Sequence, residues 1–182
     1  EMKKRRLLLE TIFFFCFCNV IFANTDSPFR GLYPDVGMGI RAYGMGGAAT
    51  AFANDASGVL SNPAGLVQVE PGAIDFMHTN LYGLDVNYES LSGVFEVPKI
   101  GDIGLHIQRM DASSVLQFPY CEYTLGITKG NVYSIPASGN LQIGVTTKIL
   151  PVIIDASRYV YKAKGFGIDV GVIIRKGRLR FA

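Results

Sequence analysis

The chain has 182 residues, 49% of them hydrophobic and 18% charged, with a formal net charge of +2 at pH 7. A chain of this length can form one domain with a sizeable core. Because its charge is close to balance, it lacks the basic surface with which nucleic-acid-binding proteins neutralise phosphates, and nucleic acid is not an expected partner.

Residues 1–23 have the layout of a secretory signal peptide. A basic stretch at residues 3–6 precedes the mostly apolar run LLLETIFFFCFCNVIF, and Ile21-Phe22-Ala23 provides a cleavage site. The alternative is a retained membrane anchor, although Glu10 interrupts the apolar run that a span of about 20 residues requires. We therefore expect an exported protein that begins at residue 24.

The cysteines limit the other uses of this segment. Cys16 and Cys18 each follow a phenylalanine, whereas a lipoprotein has a small residue before its lipidated cysteine. Cleavage of the signal leaves Cys121 alone, so we expect neither a disulfide nor a cysteine metal cluster in the mature chain. It also leaves 13 basic and 13 acidic residues, and the mature chain is predicted to be neutral.

The segment from Gly39 to Leu66, GIRAYGMGGAATAFANDASGVLSNPAGL, is rich in glycine and alanine and has little side chain to bury. Its first half can form a short helix that permits close backbone approach, and NDASG breaks that helix. In SNPAGLV, Asn62 is predicted as an N-cap and Pro63 as the first helical residue, with Leu66 and Val67 as the buried end. The segment therefore predicts a compact, irregular plug.

Three other chemistries have weak support. The glycines around residues 37–47 do not follow a buried strand, and no P-loop lysine follows them, which disfavours a phosphate loop. The chain contains no G-x-S-x-G nucleophile motif. His78 and His106 both lie in strand patterns and are interpreted as lumen or loop residues. We expect no enzyme, no cofactor and no metal site, and a soluble enzyme is the least favoured alternative.

Beyond the plug, the hydrophobic pattern has a period of two, which is typical of β-strands. In LQIGVTTKI the apolar side occupies the odd positions from Leu141 to Ile149, and the even positions hold Gln142, Gly144, Thr146 and Lys148. The same alternation occurs in DIGLHIQ (102–108), CEYTLGIT (121–128) and FGIDVGVII (166–174), and more loosely in AIDFMHTN (73–80) and VNYESLSGVFEV (86–97). We predict six strands and the start of a seventh at RLRF.

The connections between these runs carry glycine, proline and asparagine. Turns are predicted at residues 98–101, 129–131, 137–140 and 175–177, and residues 150–164 as a longer loop or a strand extension. The run at residues 86–97 is expected to change face near Ser90–Gly93 through a β-bulge.

The composition of the second strand face separates two all-β architectures. A soluble sandwich is polar on its outside, whereas a membrane barrel turns its apolar face to lipid and its other face to a lumen. The second face here is rich in glycine with scattered Asp, Gln, Lys and His, which suits a crowded polar lumen. The pattern favours an antiparallel outer-membrane β-barrel, with the sandwich as the alternative.

The plug sequence RAYGMGGAATAFANDASGVLSNPAGL closely resembles the N-terminal signature of the FadL-type outer-membrane transport family, which includes PorV-like proteins and uncharacterised spirochaete members. The shared pattern is Gly-x-Arg-Ala-x-Gly-Met-Gly-Gly-Ala, then Asn-Asp-Ala, then Asn-Pro-Ala-Gly-Leu. A more diffuse similarity continues through IGDIGLHI, LQIGVTTKI and GFGIDVGVIIR, which look like early barrel strands of that family.

The resemblance implies a 14-stranded barrel with an N-terminal hatch inside it, at residues 24–69. It implies that a hydrophobic molecule, such as a long-chain fatty acid, enters from outside, shifts the hatch and leaves sideways into the outer-membrane lipid. The residues that it assigns are the gate Asn62, Pro63 and Ala64, the plug-packing glycines Gly44, Gly46 and Gly47, and the candidate lumen cations Arg41 and Lys148.

The length departs from the family pattern. The 113 residues of the segment 70–182, at about 16 residues for each strand and turn, allow roughly seven strands, the first half of such a barrel. We expect either a truncated reading frame or completion by another chain, because the bilayer does not tolerate unpaired edges. Alternatives to uptake are a PorV-like partner of secreted cargo and a non-functional fragment.

Overall fold

The computed structural model describes residues 39–81, 83–116, 118–135, 139–156, 159–177 and 179–182. The predicted signal peptide, with Cys16 and Cys18, and the first part of the predicted hatch, residues 24–38, lie outside the described residues. Below, "hatch segment" means residues 39–69.

Seven antiparallel strands form one sheet in which each strand pairs with the next along the chain. The sheet curls into a half-barrel, which confirms the predicted partial, antiparallel all-β barrel with a few short helices. The strands are β1 (Ile74–Leu81), β2 (Val86–Val97), β3 (Gly101–Asp111), β4 (Tyr120–Ile135), β5 (Gly139–Ala156), β6 (Tyr159–Lys176) and β7 (Leu179–Phe181).

The alternation predicted from the sequence sets the two faces of this sheet. Gln142, Thr146 and the other even positions of β5 lie on the inner face, which the hatch segment covers, and Ile149 and its odd neighbours lie outside. The even positions of β3 and β4 lie on the same inner face, because these registers pair even residues with even ones. In β6 the odd positions lie on the inner face, because the register pairs the even residues of β5 with odd residues of β6. The predicted alternation of these four strands is therefore confirmed.

Two local predictions were wrong. The expected β-bulge in β2 is absent from its ladder, where residues 86–93 pair with β1 and residues 87–97 pair with β3, each in one continuous register. Small residues on both faces of that strand had hidden its alternation. The turn expected at residues 129–131 lies inside β4, where Gly130 pairs with Gly144.

The connection predicted at residues 98–101 is confirmed as a turn, whereas residues 137 and 138 of the turn predicted at 137–140 lie outside the described residues. A three-residue turn after Val97 ends at Gly101, which has a positive φ of 84°, a conformation that glycine adopts at little cost. Residues 150–156 extend β5 and residues 159–164 extend β6, and they pair with each other, which was one of the two alternatives; residues 157 and 158 lie outside the described residues. Gly177, also at positive φ, follows the end of β6.

The hatch segment consists of short helical turns joined by bends. They are α1 (Ile40–Gly44), a 3₁₀-helix at Thr50–Phe52, α2 (Gly58–Ser61) and a second 3₁₀-helix at Pro63–Gln68. None of the helices in the described part of the chain is long and apolar enough to cross a membrane.

Two apolar clusters lie on the inner face of the sheet. One joins the hatch segment to the wall and contains Val59, Leu66 and Val69 of the hatch with Val94 of β2. The other lies at the opposite end of the strands, beside α3 (Ser113–Leu116). Its buried members are Met77, Leu81, Tyr88, Met110, Ala112, Tyr120 and Ile154.

Candidate functional site: the hatch on the inner wall

Asn62 is the polar centre of the contact between hatch and wall. It is 3% exposed and has an extended backbone, and its Oδ1 accepts a hydrogen bond from the Ala64 N–H at 2.9 Å. This is the predicted N-cap, and Pro63 occupies the first helical position as predicted. The Asn62 Nδ2 donates to the carbonyl oxygens of Thr50 at 3.1 Å and Val172 at 3.5 Å. One side chain therefore links two hatch turns and β6.

A column of three glycines on the wall receives this turn. Gly130, Gly144 and Gly171 are direct cross-strand neighbours on β4, β5 and β6. A Cβ added to Gly144 would lie less than 3.0 Å from the Pro63 backbone, and one added to Gly171 less than 3.0 Å from the Asn62 Oδ1. We name these three residues the glycine column. It brings the wall backbone within contact distance of the gate residues.

The gate residues that the resemblance assigned are therefore together in one place. Asn62 and Pro63 are buried against the glycine column, and Ala64 is fully buried beside them. A further polar contact lies nearby, where the Gln68 Nε2 donates to the Gln142 Oε1 at 2.9 Å.

The glycines expected to pack the plug do not lie in this contact. A Cβ added to Gly44 or Gly46 would meet nothing within 4 Å among the described residues, so neither packs closely against this half of the wall, and their role in a complete barrel stays a prediction. Gly46 and Gly47 instead have positive φ values of 62° and 86°, which glycine adopts in turns. Inside the hatch, close packing occurs at Gly58 and Gly65. A Cβ added to either glycine would lie less than 3.0 Å from backbone atoms of Ala53.

The two candidate lumen cations each have an acidic partner. Arg41 in α1 is half exposed, and its NH1 donates to the Asn54 Oδ1 at 2.5 Å and lies 3.5 Å from the Asp55 Oδ2. Lys148 lies on the inner face, as its even position predicts, and forms an ion pair with Asp169. Both charges are therefore compensated within the chain.

The two histidines lie on opposite faces of the sheet. His106 lies on the inner face, 5% exposed, with its ring over Gly126. His78 lies on the outer face, where its Nδ1 is 3.3 Å from the Glu89 Oε1, so the interpretation of His78 as a lumen or loop residue was wrong. The looser alternation of β1 had obscured its direction.

The outer face of the sheet is apolar and exposed, whereas the inner face combines the two apolar clusters with many buried polar side chains. The outer face of β2 to β6 exposes large apolar side chains, for example Ile127 at 59% and Phe166 at 53%. The inner face buries polar ones. These are Ser90, Ser92, His106, Gln108, Glu122, Thr124, Thr128, Gln142 and Thr146.

Comparison with known proteins gives no match. No family model, no curated protein and no solved structure matches the chain. The resemblance to the FadL-type family therefore stays a prediction that depends on the plug sequence. Within the described ranges, no group of three or more His, Cys, Asp or Glu side chains could hold a metal ion.

Proposed function

We propose that the chain forms wall and hatch of an outer-membrane β-barrel that takes up hydrophobic molecules passively, with long-chain fatty acids as the candidate ligands. The hatch segment is the moving part, and the glycine column is its seat. This proposal combines the half-barrel fold with the function that the resemblance of the plug sequence implies.

The observation that carries the proposal is the reversed polarity of the two sheet faces. Apolar side chains exposed to water lose the stabilisation that burial would give, about 25 cal/mol for each Å². In a membrane barrel the same side chains contact lipid, and polar side chains line the lumen. A soluble sandwich would require the opposite arrangement, because its apolar faces pack against each other.

The contacts of the hatch support a reversible seat. The seat itself consists of backbone and small residues at the glycine column, and the hydrogen bonds from the hatch to the wall come from Asn62 and Gln68. Neutral hydrogen bonds contribute about 1 kcal/mol each, and the apolar contact of Val59, Leu66 and Val69 with Val94 adds the larger part, so the hatch leaves its seat only when a ligand offsets the loss of that contact.

A crosslink between hatch and wall tests this function. In cells that carry the full-length gene with Cys121→Ser, the pair Gln68→Cys and Gln142→Cys places two thiols on the side chains that now meet, at a separation that a short crosslinker can span. We expect a short, reducible thiol crosslinker to abolish uptake of radiolabelled fatty acid. Reduction should restore the uptake.

The matched control crosslinks the wall to itself. The Thr128 and Thr146 hydroxyl oxygens are 2.7 Å apart on neighbouring strands, and the corresponding cysteine pair leaves the hatch free. The transport role would be contradicted if uptake in every variant equalled the uptake of a deletion strain. This outcome counts only when a folded, heat-modifiable barrel is present in the membrane. Secreted proteins that co-purify with such a barrel would then support the PorV-like role.

A further inference from the structure

A band of polar residues borders the apolar outer face at the end of the strands nearest α3. On β1 to β4, direct cross-strand pairing joins His78, Glu89, Arg109 and Tyr123 on the outer face. On β5 and β6 the band continues with the pair Pro151 and Lys164. The neighbouring outer row towards the hatch end is apolar: Phe76, Leu91, Ile107, Leu125, Ile149 and Phe166. We name the polar band the boundary row.

The first part of the boundary row compensates its own charges. The Arg109 guanidinium donates to the Glu89 Oε2 at 3.1 Å and to the Asp111 Oδ2 at 2.5 Å, and His78 contacts Glu89 as well. The cation of this part therefore has two carboxylate partners.

The second part of the boundary row has more cations than acids. Lys164 is exposed and faces Pro151, and the diagonal neighbours on β5, Ile149 and Ile153, are apolar. Lys162 lies two residues away on the same face and is also exposed, and the register gives it one acid, Asp155, as a diagonal neighbour on β5. None of the ion pairs formed by the described side chains includes either lysine.

We propose that Lys164 and Lys162 bind the phosphate group of an anionic membrane lipid at the border of the apolar face. Lys162 and Lys164 are alternate residues of one strand, about 7 Å apart. Their two ammonium groups therefore face the same layer of lipid headgroups. Near a lipid phosphate an ammonium group is attracted by the negative charge and stays hydrated. The apolar outer face provides neither. This inference depends on the proposed membrane embedding of the sheet.

The test measures retained lipid on the full-length protein. The protein is folded in detergent and titrated with phosphatidylglycerol or phosphatidylcholine, and native mass spectrometry counts the bound lipids. We expect the protein to prefer phosphatidylglycerol and the variant Lys162→Gln/Lys164→Gln to bind it more weakly, by about fivefold for each lysine. Competition by inorganic phosphate at millimolar concentration would assign the site to free phosphate and overturn the lipid assignment.

The control variant is Lys129→Gln, on the same face, because the Lys129 ammonium already donates to the carbonyl oxygens of Ile100 and Asp102. It removes one positive charge, half of what the double variant removes, and is expected to leave lipid binding unchanged. Equal binding by the double-lysine variant and the unmodified protein overturns the inference. A heat-modifiable band that is protected from protease in vesicles establishes embedding separately. Its absence would contradict the proposed function as well as the lipid site.

Discussion

Gly144 shows how a single missing side chain positions the hatch. Its Cβ would overlap the backbone of Pro63, which cannot yield as a flexible side chain could. We expect Gly144→Ala to push the hatch from its seat and to destabilise the seated state by about 1–3 kcal/mol, the range for overpacked sites. Limited proteolysis of the folded full-length protein would show faster cleavage within the hatch segment.

Gly167→Ala is the matched control for this prediction. Gly167 also lies on the inner face, but an added Cβ there would be 3.6 Å from its nearest neighbour, an ordinary contact distance. Equal cleavage of the hatch in the two variants would contradict the role of the glycine column.

The two ends of the Asn62 amide can be separated by substitution. Asn62→Ala removes the cap and both donor contacts, and should cost the seated hatch about 0.5–2 kcal/mol for the cap alone. Asn62→Ser keeps an uncharged cap oxygen that can accept from Ala64 but removes the donor to Thr50 and Val172. We expect hydrogen exchange in the hatch to increase with Asn62→Ala and, at the Pro63–Gln68 helix, less with Asn62→Ser. Identical exchange in both variants would mean that the cap contributes nothing.

At the scale of the strand, the outer face of β6 gives a test of lipid contact. Val170 is 51% exposed in the middle of the apolar run of β6. In a bilayer, Val170→Arg should destabilise the folded barrel by about 2–4 kcal/mol. Asn80→Arg, on the same face beyond the boundary row, should cost about 0–1 kcal/mol. Denaturant titration in lipid vesicles measures both, and equal effects would contradict embedding at this depth.

The strands were the part of the fold that the sequence predicted well. Alternation assigned Thr146 and Ile149 to opposite faces because a strand has a fixed period of two. The pattern failed where it had no contrast, as at Ser92 and Gly93 in β2, which lie on opposite faces but are both small. Gly130 was read as a turn residue because local composition cannot reveal that Val67 of the hatch packs over it.

The candidate site could be predicted only in part. Asn62 and Pro63 were identified because capping is local and depends on adjacent residues. The glycine column was missed, since it depends on the registers of three strands and on where the hatch lies against them. Its only signal in the sequence was a glycine at matching positions of the strand runs, at Gly144 and Gly171. The packing role of Gly44 was inferred by analogy, which does not determine the side on which a hatch residue lies.

At the scale of the whole molecule, the export prediction has its own test. The predicted signal at residues 1–23 ends in Ile21-Phe22-Ala23. We expect N-terminal sequencing of the protein from membrane fractions to begin at Asn24. Substitution Ala23→Arg should block processing and leave a larger species, because the signal peptidase requires a small residue at this position. An intact N-terminus in the unmodified protein would favour the retained anchor.

The sheet edges set a condition on the membrane form. Within the described residues the sheet runs from β1 to β7 without pairing between these two strands. Unpaired backbone groups are costly in hydrocarbon, so β1 and the free part of β6 need further strands beside them in a bilayer. The proposed barrel therefore includes strands that pair with these two edges.

The distance along the chain between Asn62 and its wall partner implies an order of assembly. The hydrogen bond to Val172 joins residues 110 positions apart, and the glycine column exists only when β4, β5 and β6 have paired. Contacts between such distant residues require closure of a long loop and form late. The hatch segment is made first, but its Asn62 turn has no complete seat until the sixth strand is in place. Until then it stays available to whatever escorts the unfolded chain.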